Sequence, residues 1–225
     1  MIKLIIFDLD NTLYPTFEQV RKCREAAINE MMKYGLKGTK KELIKELNGI
    51  VKEQGSNSQK HFNEIINKQC PDKTRREKYY LIGKGVTAYS IMKAKSMNLY
   101  PDTKETLKKL LDKKYKIVIL TDGIQVKQFD KVNRLGLDKY FKTDVWVTKD
   151  KTNTKAIKEI LKENKIKQQE ALLVGDRRKS DIQAAKNTGI KSCQLMKGPY
   201  TNEHGSEPDI KIKNLTELLK KISMI

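Results

Sequence analysis

Hydrophobic positions along the chain follow two regimes. Short unbroken apolar runs occur at residues 3–8 (KLIIFD), 116–120 (KIVIL) and 171–174 (ALLV). Runs of this kind suit central strands of a parallel sheet, which are covered on both faces. The segments 144–148 (DVWVT), 191–195 (KSCQL) and 209–213 (DIKIK) mix polar with apolar residues and predict shorter or more peripheral strands. Between them the spacing changes to three and four. Leu107, Leu110 and Leu111 mark a helix opened by Pro101 and Asp102; Val126, Phe129 and Val132 mark one that stops near Gly136. Ala156, Ile157, Ile160 and Leu161 mark a third. Ile182, Ala184 and Ala185 mark a short helix ended by Gly189, and Leu215, Leu218, Leu219 and Ile222 mark a terminal one. Strand–helix alternation predicts an α/β fold with a doubly wound, mainly parallel sheet.

Residues 15–98 break this rhythm, because they hold no convincing strand. Phe17, Val20, Ala27 and Met31 predict one helix up to Gly35. Leu43, Ile44, Leu47, Ile50 and Val51 predict a second up to Gly55, and Phe62, Ile65 and Ile66 a third. Residues 74–97 fit one long helix or two. The chain therefore divides into a core of residues 1–14 and 99–225 and an inserted all-helical cap of residues 15–98, with a hinge near Pro101.

Composition narrows the functional classes. No apolar run approaches the roughly 20 residues of a membrane span. The N-terminus lacks the basic lead and cleavage site of a signal peptide, so a cytoplasmic protein is expected. Cys23, Cys70 and Cys193 are far apart and odd in number, which argues against a disulfide framework or a zinc site. His61 and His204 are isolated. The formal charge of +19 raises the question of a nucleic-acid partner. However, the excess is mostly lysine, spread over every predicted helix with no aromatic-interleaved stripe. A solvated basic surface that attracts anionic substrates is the simpler reading, and nucleic acid is disfavoured.

Candidate chemistry gathers where core strands end, the edge at which open α/β sheets bind ligands. Asp8-Leu9-Asp10-Asn11-Thr12 follows the first strand, and its two carboxylates project to one side of an extended chain, so one can attack while the other moves a proton. Thr121-Asp122-Gly123 follows the second and offers a hydroxyl and backbone N–H groups to a phosphoryl oxygen. A lysine, Lys149, Lys151 or Lys155, follows 144–148. Gly175-Asp176 follows ALLV, with Asp181 where a new helix begins. Grouped oxygen ligands of this type suit Mg²⁺ with substrate phosphate, because several carboxylates without a cation would repel one another and the phosphate.

Taken in order, these motifs resemble those of the haloacid dehalogenase superfamily of phosphatases. Asp8 to Tyr14 is similar to the DxDxT motif, Thr121 to the second-motif hydroxyl, and Gly175-Asp176 with Asp181 to the GDxxxxD form of the fourth. Aligning residues 151–157 with the KPxPxxF-like stretch selects Lys151; the prolines are absent here, and Lys149 stays as the alternative. The resemblance implies a HAD-like, Rossmann-type core with a C1-type cap. It extends to an archaeal branch of Mg²⁺-dependent phosphatases, some acting on triose phosphates such as glyceraldehyde 3-phosphate. It further implies that Asp8 is the nucleophile and a Mg²⁺ ligand, and that Asp10 is the acid/base and binds Mg²⁺ through its carbonyl. Thr121 and Lys151 would be catalytic and would hold the phosphoryl group with Asp122 and Gly123. Asp176 would bind Mg²⁺, with Asp181 behind it.

The expected activity is Mg²⁺-dependent hydrolysis of a small phosphorylated metabolite through an aspartyl-phosphate on Asp8, with the cap excluding water. A homodimer is left open by the resemblance. A phosphomutase of the same fold is the first alternative. A basic nucleic-acid-binding module is the second, and the acidic set argues against it. A dehalogenase would need neither Asp10 nor Asp176. Tyr14, Arg21, Lys22 and Arg24 near the start of the cap face either the cleft or solvent as ordinary helix surface, and Arg177 and Arg178 either tune the neighbouring metal-ligand candidate or are solvated; all six are left outside the site.

Overall fold

The apolar run at the start of the chain forms β1 (Leu4–Phe7), and all four of its residues are buried. The structure is a computed structural model and describes residues 1–142 and 144–224. The other strands are β2 (Lys116–Asp122), β3 (Val145–Thr148), β4 (Ala171–Gly175), β5 (Lys191–Leu195) and β6 (Ile210–Ile212). Among the described residues they form one six-stranded sheet in the order β3-β2-β1-β4-β5-β6. Every pairing is parallel. Phe7 pairs with Ile119 on one side and Val174 on the other, so the ends of β1, β2 and β4 lie next to one another. The order reverses between β1 and β4. A reversal of this kind opens a crevice beyond the carboxyl ends of the two strands.

The chain divides into two compact units, Met1–Phe17 with Asn98–Ile225, and Glu18–Met97. The second holds most of α1 (Thr16–Lys33) and all of α2 (Lys40–Gln54), α3 (His61–Gln69) and α4 (Arg75–Ser96). Residues 75–96 thus form one helix. Thr39 and Thr74 cap α2 and α4, each accepting from the amide of a glutamate three residues on, whose carboxylate returns to the cap amide. Ala27, Ile28, Met31, Leu43, Leu47, Ile65, Ile66 and Leu81 form the core of this unit. Phe17, expected on the apolar face of α1, is 54% exposed.

The first unit adds α5 (Thr103–Asp112), α6 (Gln125–Arg134), α7 (Asp138–Phe141), α8 (Lys155–Asn164), α9 (Gln183–Thr188) and α10 (Leu215–Lys221). Alternate strand residues face opposite sides. Leu4, Ile6, Val118, Leu120, Ala171 and Leu173 pack with Ile157, Ile160 and Leu161 of α8 and Ala184 and Ala185 of α9. Ile5, Phe7, Ile117, Ile119, Leu172 and Val174 are buried on the other face, where Phe7 meets Phe141 edge-on at 6.4 Å. Among the described residues no helix is long and apolar enough to cross a membrane.

Three local expectations change. β2 runs two residues further than its apolar run, because β3 pairs Thr121 with Val147 and Asp122 with Thr148 and so continues the ladder. Leu111 is exposed at the end of α5. In α6, Val126 and Phe129 face solvent while Gln128 and Val132 are buried, so the helix is rotated from the phase its apolar residues suggest.

Candidate active site

Asp8 continues β1 by one residue, its amide donating to the Val174 carbonyl at 2.9 Å. Strand pairing therefore fixes the backbone that carries this buried carboxyl group. Lys151 follows β3. Its amide donates to Oδ1 of Asp122 at 2.9 Å, and Ser180 donates to Oδ2 of the same carboxylate at 3.3 Å. Asp122 thus braces the loop that presents Lys151. The amide of Gly123, expected to face a phosphoryl oxygen, instead donates to the Thr148 carbonyl at 2.9 Å. Thr121 is buried at the end of β2.

The Lys151 ammonium donates to Oδ1 of Asp8 and, at 2.6 Å, to Oδ1 of Asp181. Lys149 and Lys155 are exposed. Asp181 lies in a π turn, Arg178–Ile182, directly after β4. Its Oδ2 accepts from the Arg177 amide at 3.0 Å, so both of its oxygens are engaged. Such turns often occur at functional sites. Asp176 is buried, and its Oδ2 has no hydrogen-bond partner.

One oxygen from each of Asp8, Asp176 and Asp181 lies within 4.8 Å of the others, an arrangement able to hold a metal ion. Lys151 alone cannot balance three carboxylates in this space. Burial, and then the charges of Asp181 and Asp10, push the Asp8 carboxyl up to about 7 despite Lys151. Burial, Asp8 and Asp181 push Asp176 up to about 9. Burial would strip the Lys151 proton, but Asp181, Asp8 and Asp122 outweigh it and keep the ammonium charged.

The Asp10 side chain is not part of this group. Burial would raise its pKa, yet Lys131 and the hydroxyls of Thr16 and Tyr14 hold it below the ordinary aspartate value. Lys131 Nζ is 2.7 Å from both carboxylate oxygens. The turn that follows has Asn11 at φ 61, a left-handed conformation that Asn tolerates. Asn11 Oδ1 accepts from the Phe17 amide at 2.8 Å, which returns Tyr14 and Thr16 toward Asp10.

Sequence reasoning missed these contacts around Asp10. Tyr14 is not surface: it is fully buried, with its hydroxyl on Asp10. Gln128 and Lys131 stand one turn apart on α6, and their i, i+3 spacing immediately after β2 was the available signal. By contrast, Arg21 and Lys22 are exposed and Arg24 donates to Asn48. Arg177 lies over the Tyr200 ring and reaches Glu203, while Arg178 reaches Gln194 and Glu207.

The sequence profile described as haloacid dehalogenase-like hydrolase matches residues 5–195. The chain belongs to this family. Family relatives extend over nearly its whole length. A glyceraldehyde 3-phosphate phosphatase from Methanocaldococcus jannaschii is 35% identical over 226 residues, covering 97% of this chain and 96% of the relative. An enzyme of the same name from Methanopyrus kandleri is 33% identical over 228 residues, with 97% and 96% covered. Among solved structures, a haloacid dehalogenase-like family hydrolase from Xanthomonas campestris superposes with a TM-score of 0.69 at 17% identity, covering 99% of this chain and 91% of that one, a likeness of fold.

Proposed function

We infer that this protein hydrolyses small phosphate monoesters by nucleophilic attack of Asp8 on phosphorus. The observation that carries this reading is the buried Lys151 ammonium shared by Asp8 and Asp181, beside an Asp176 oxygen with no protein donor. An unpaired carboxylate oxygen in a buried acidic group is costly unless a cation completes it. The donors are all hard oxygens, which fits Mg²⁺. Asp8, Asp176 and the main-chain carbonyl of Asp10 would hold the ion, with Asp181 behind them. When bound, Mg²⁺ would offset the negative charge of the carboxylates and the phosphate.

The chain's own residues then supply the steps. An oxygen of Asp8 bonds to phosphorus as the ester P–O bond breaks, with attacking and leaving oxygens in line. The leaving oxygen takes its electron pair and a proton from Asp10, which Lys131 keeps ionised in the free protein and which must therefore take up that proton when the phosphate ester binds. The product alcohol departs and an aspartyl-phosphate remains on Asp8. Asp10, now a carboxylate, takes a proton from water as that water attacks phosphorus, and Asp8 is released. Lys151 orients Asp8 and offsets phosphoryl charge, while Thr121 holds a phosphoryl oxygen at the end of β2.

The two archaeal relatives are named for glyceraldehyde 3-phosphate, and a triose phosphate of that kind is the substrate we propose. The test is phosphate release from glyceraldehyde 3-phosphate and from p-nitrophenyl phosphate, with Mg²⁺ and with EDTA, by the natural sequence and by Asp8→Asn. Mg²⁺-dependent release that D8N abolishes is expected. Absence of release from every ester tried sinks the reading, and release in EDTA sinks its metal requirement.

A further inference from the structure

Two neighbouring residues each bury a polar atom that nothing satisfies. Among the described residues, Oδ2 of Asp176 and Nε of Arg177 have no hydrogen-bond partner. One is an acceptor on an acid, the other a donor on a base, and the two residues are consecutive in the chain. Such groups ordinarily pair, because one charge-assisted bond satisfies both. Here they do not. The Arg177 guanidinium lies over the Tyr200 ring at 4.4 Å, and its Nη2 donates to Oε1 of Glu203 at 3.3 Å. The Glu203 side chain is only 11% exposed, and its Oε2 accepts from the Lys179 amide at 3.0 Å. The Glu203 amide donates to the Tyr200 carbonyl at 3.0 Å, so ring and carboxylate belong to one turn. Burial opposes the Arg177 charge, while Tyr200, Glu203 and Asp176 favour it. Two acids therefore attract this guanidinium, and it is bonded to only one of them.

We propose that Glu203 and Tyr200 are positioning residues that hold the Arg177 guanidinium off Asp176 and so leave that carboxylate free for the divalent cation. The inference rests on the reading above, in which Asp176 binds Mg²⁺. An arginine beside a metal ligand is a tethered rival for it. Its charge is permanent, and its planar fork matches a carboxylate. Unrestrained, it would take the Asp176 oxygen, and every binding event would first have to break that pair. Glu203 offers the guanidinium a different carboxylate, and Tyr200 offers it a ring face. Glu203 also accepts from an amide of the π turn that carries Asp181, so the restraint is anchored to the segment it protects. Arg178 is likewise engaged elsewhere: its Nε donates to Gln194 at 3.0 Å and its Nη1 pairs with Glu207.

The test is Mg²⁺ affinity of the full chain by isothermal titration calorimetry, with kcat for p-nitrophenyl phosphate followed as Mg²⁺ is raised. Glu203→Gln keeps an acceptor for the Lys179 amide and loses the charge that holds Arg177. It should weaken Mg²⁺ binding roughly tenfold. Its kcat should recover at high Mg²⁺, because cation and guanidinium compete for one oxygen. Adding Arg177→Met to E203Q should restore the natural affinity. Tyr200→Leu should shift affinity the same way with smaller amplitude, and decides the matter if E203Q does not fold. A double variant no better than E203Q would make Glu203 only a brace of the turn and overturn the proposal. Unchanged affinity in the single variants, or a kcat that high Mg²⁺ does not restore, would overturn it too. A natural sequence that binds Mg²⁺ but releases no phosphate overturns the hydrolytic reading alone, and the binding measurements still decide this inference. A natural sequence that binds no Mg²⁺ overturns both.

Discussion

Gly175 lies so close to the Asp181 carboxylate that a Cβ at position 175 would overlap it. Asp181 has no room to retreat, because its oxygens are held by Lys151 and by the Arg177 amide. Gly175→Ala is therefore expected to displace the carboxylate. The expected cost is about 1–3 kcal/mol of stability and at least roughly tenfold in kcat, since small misplacements at a reacting group are amplified. Thermal melts and steady-state kinetics check this. A G175A protein with unchanged kcat would show that Asp181 need not sit where it does.

Lys151→Met removes the one ammonium inside the acidic group. Breaking a buried ion pair by deleting one partner costs about 3–5 kcal/mol, and here two carboxylates lose a shared donor. Activity should be lost together with stability. Denaturant unfolding at pH 5 and pH 8 should show the larger deficit at pH 8, where the unpaired carboxyl groups are driven to ionise. Equal deficits at the two pH values would contradict the assigned charge balance.

The pH dependence of metal binding has a definite sign. Asp8 is raised from 3.8 to about 7 and Asp176 from 3.8 to about 9. A carboxyl group whose pKa is higher folded than unfolded favours the folded state fully below its unfolded value. That contribution is lost as pH rises through the folded value. The metal-free protein should thus lose stability between about pH 4 and pH 9 on account of this pair. Mg²⁺ must displace those protons, so the rise in Tm on adding Mg²⁺ should be larger at pH 8 than at pH 6. Calorimetry at both values tests it; the reverse order would refute the assignment of the site.

Asp122 serves the site through hydrogen bonds to its two oxygens. Asp122→Asn keeps an acceptor for the Lys151 amide, and Asp122→Ala keeps none. D122A is expected to lower kcat roughly tenfold or more, in line with loss of a supporting contact, with D122N falling between it and the natural sequence. KM should move little in both. A larger effect on KM than on kcat would make Asp122 a substrate contact instead.

Different parts of this site were legible in the sequence to different degrees, for physical reasons. Asp8, Thr121, Lys151 and Asp176 each adjoin a strand, and three of the four strands are apolar runs that periodicity finds readily. The surroundings of Asp10 escaped notice because α6 inverts the usual rule. Its apolar Val126 and Phe129 are 73% and 38% exposed, while polar Gln128 is turned inward. A helix face that looks into an active site is polar, so counting hydrophobic residues selects the wrong side. Tyr14 and Thr16 depend on the left-handed turn at Asn11, which has no spacing signature, whereas Asp181, on a π turn, was legible from its spacing after Asp176. The phase of α6, unlike its existence, required the neighbouring strand ends to be in place.

The strand order also bears on when this protein becomes dangerous to phosphorylated metabolites. The two central strands that Asp8 and Asp176 follow, β1 and β4, are neighbours in the sheet but are separated in the chain by the helical unit, β2 and β3. During synthesis Asp8 leaves the ribosome long before Asp176 is translated. A nascent or prematurely terminated chain that stops short of β4 carries Asp8 with neither Asp176 nor Asp181 beside it and no completed sheet around it. On the proposed mechanism, the acidic group is complete only in a chain whose fourth strand has paired with the first.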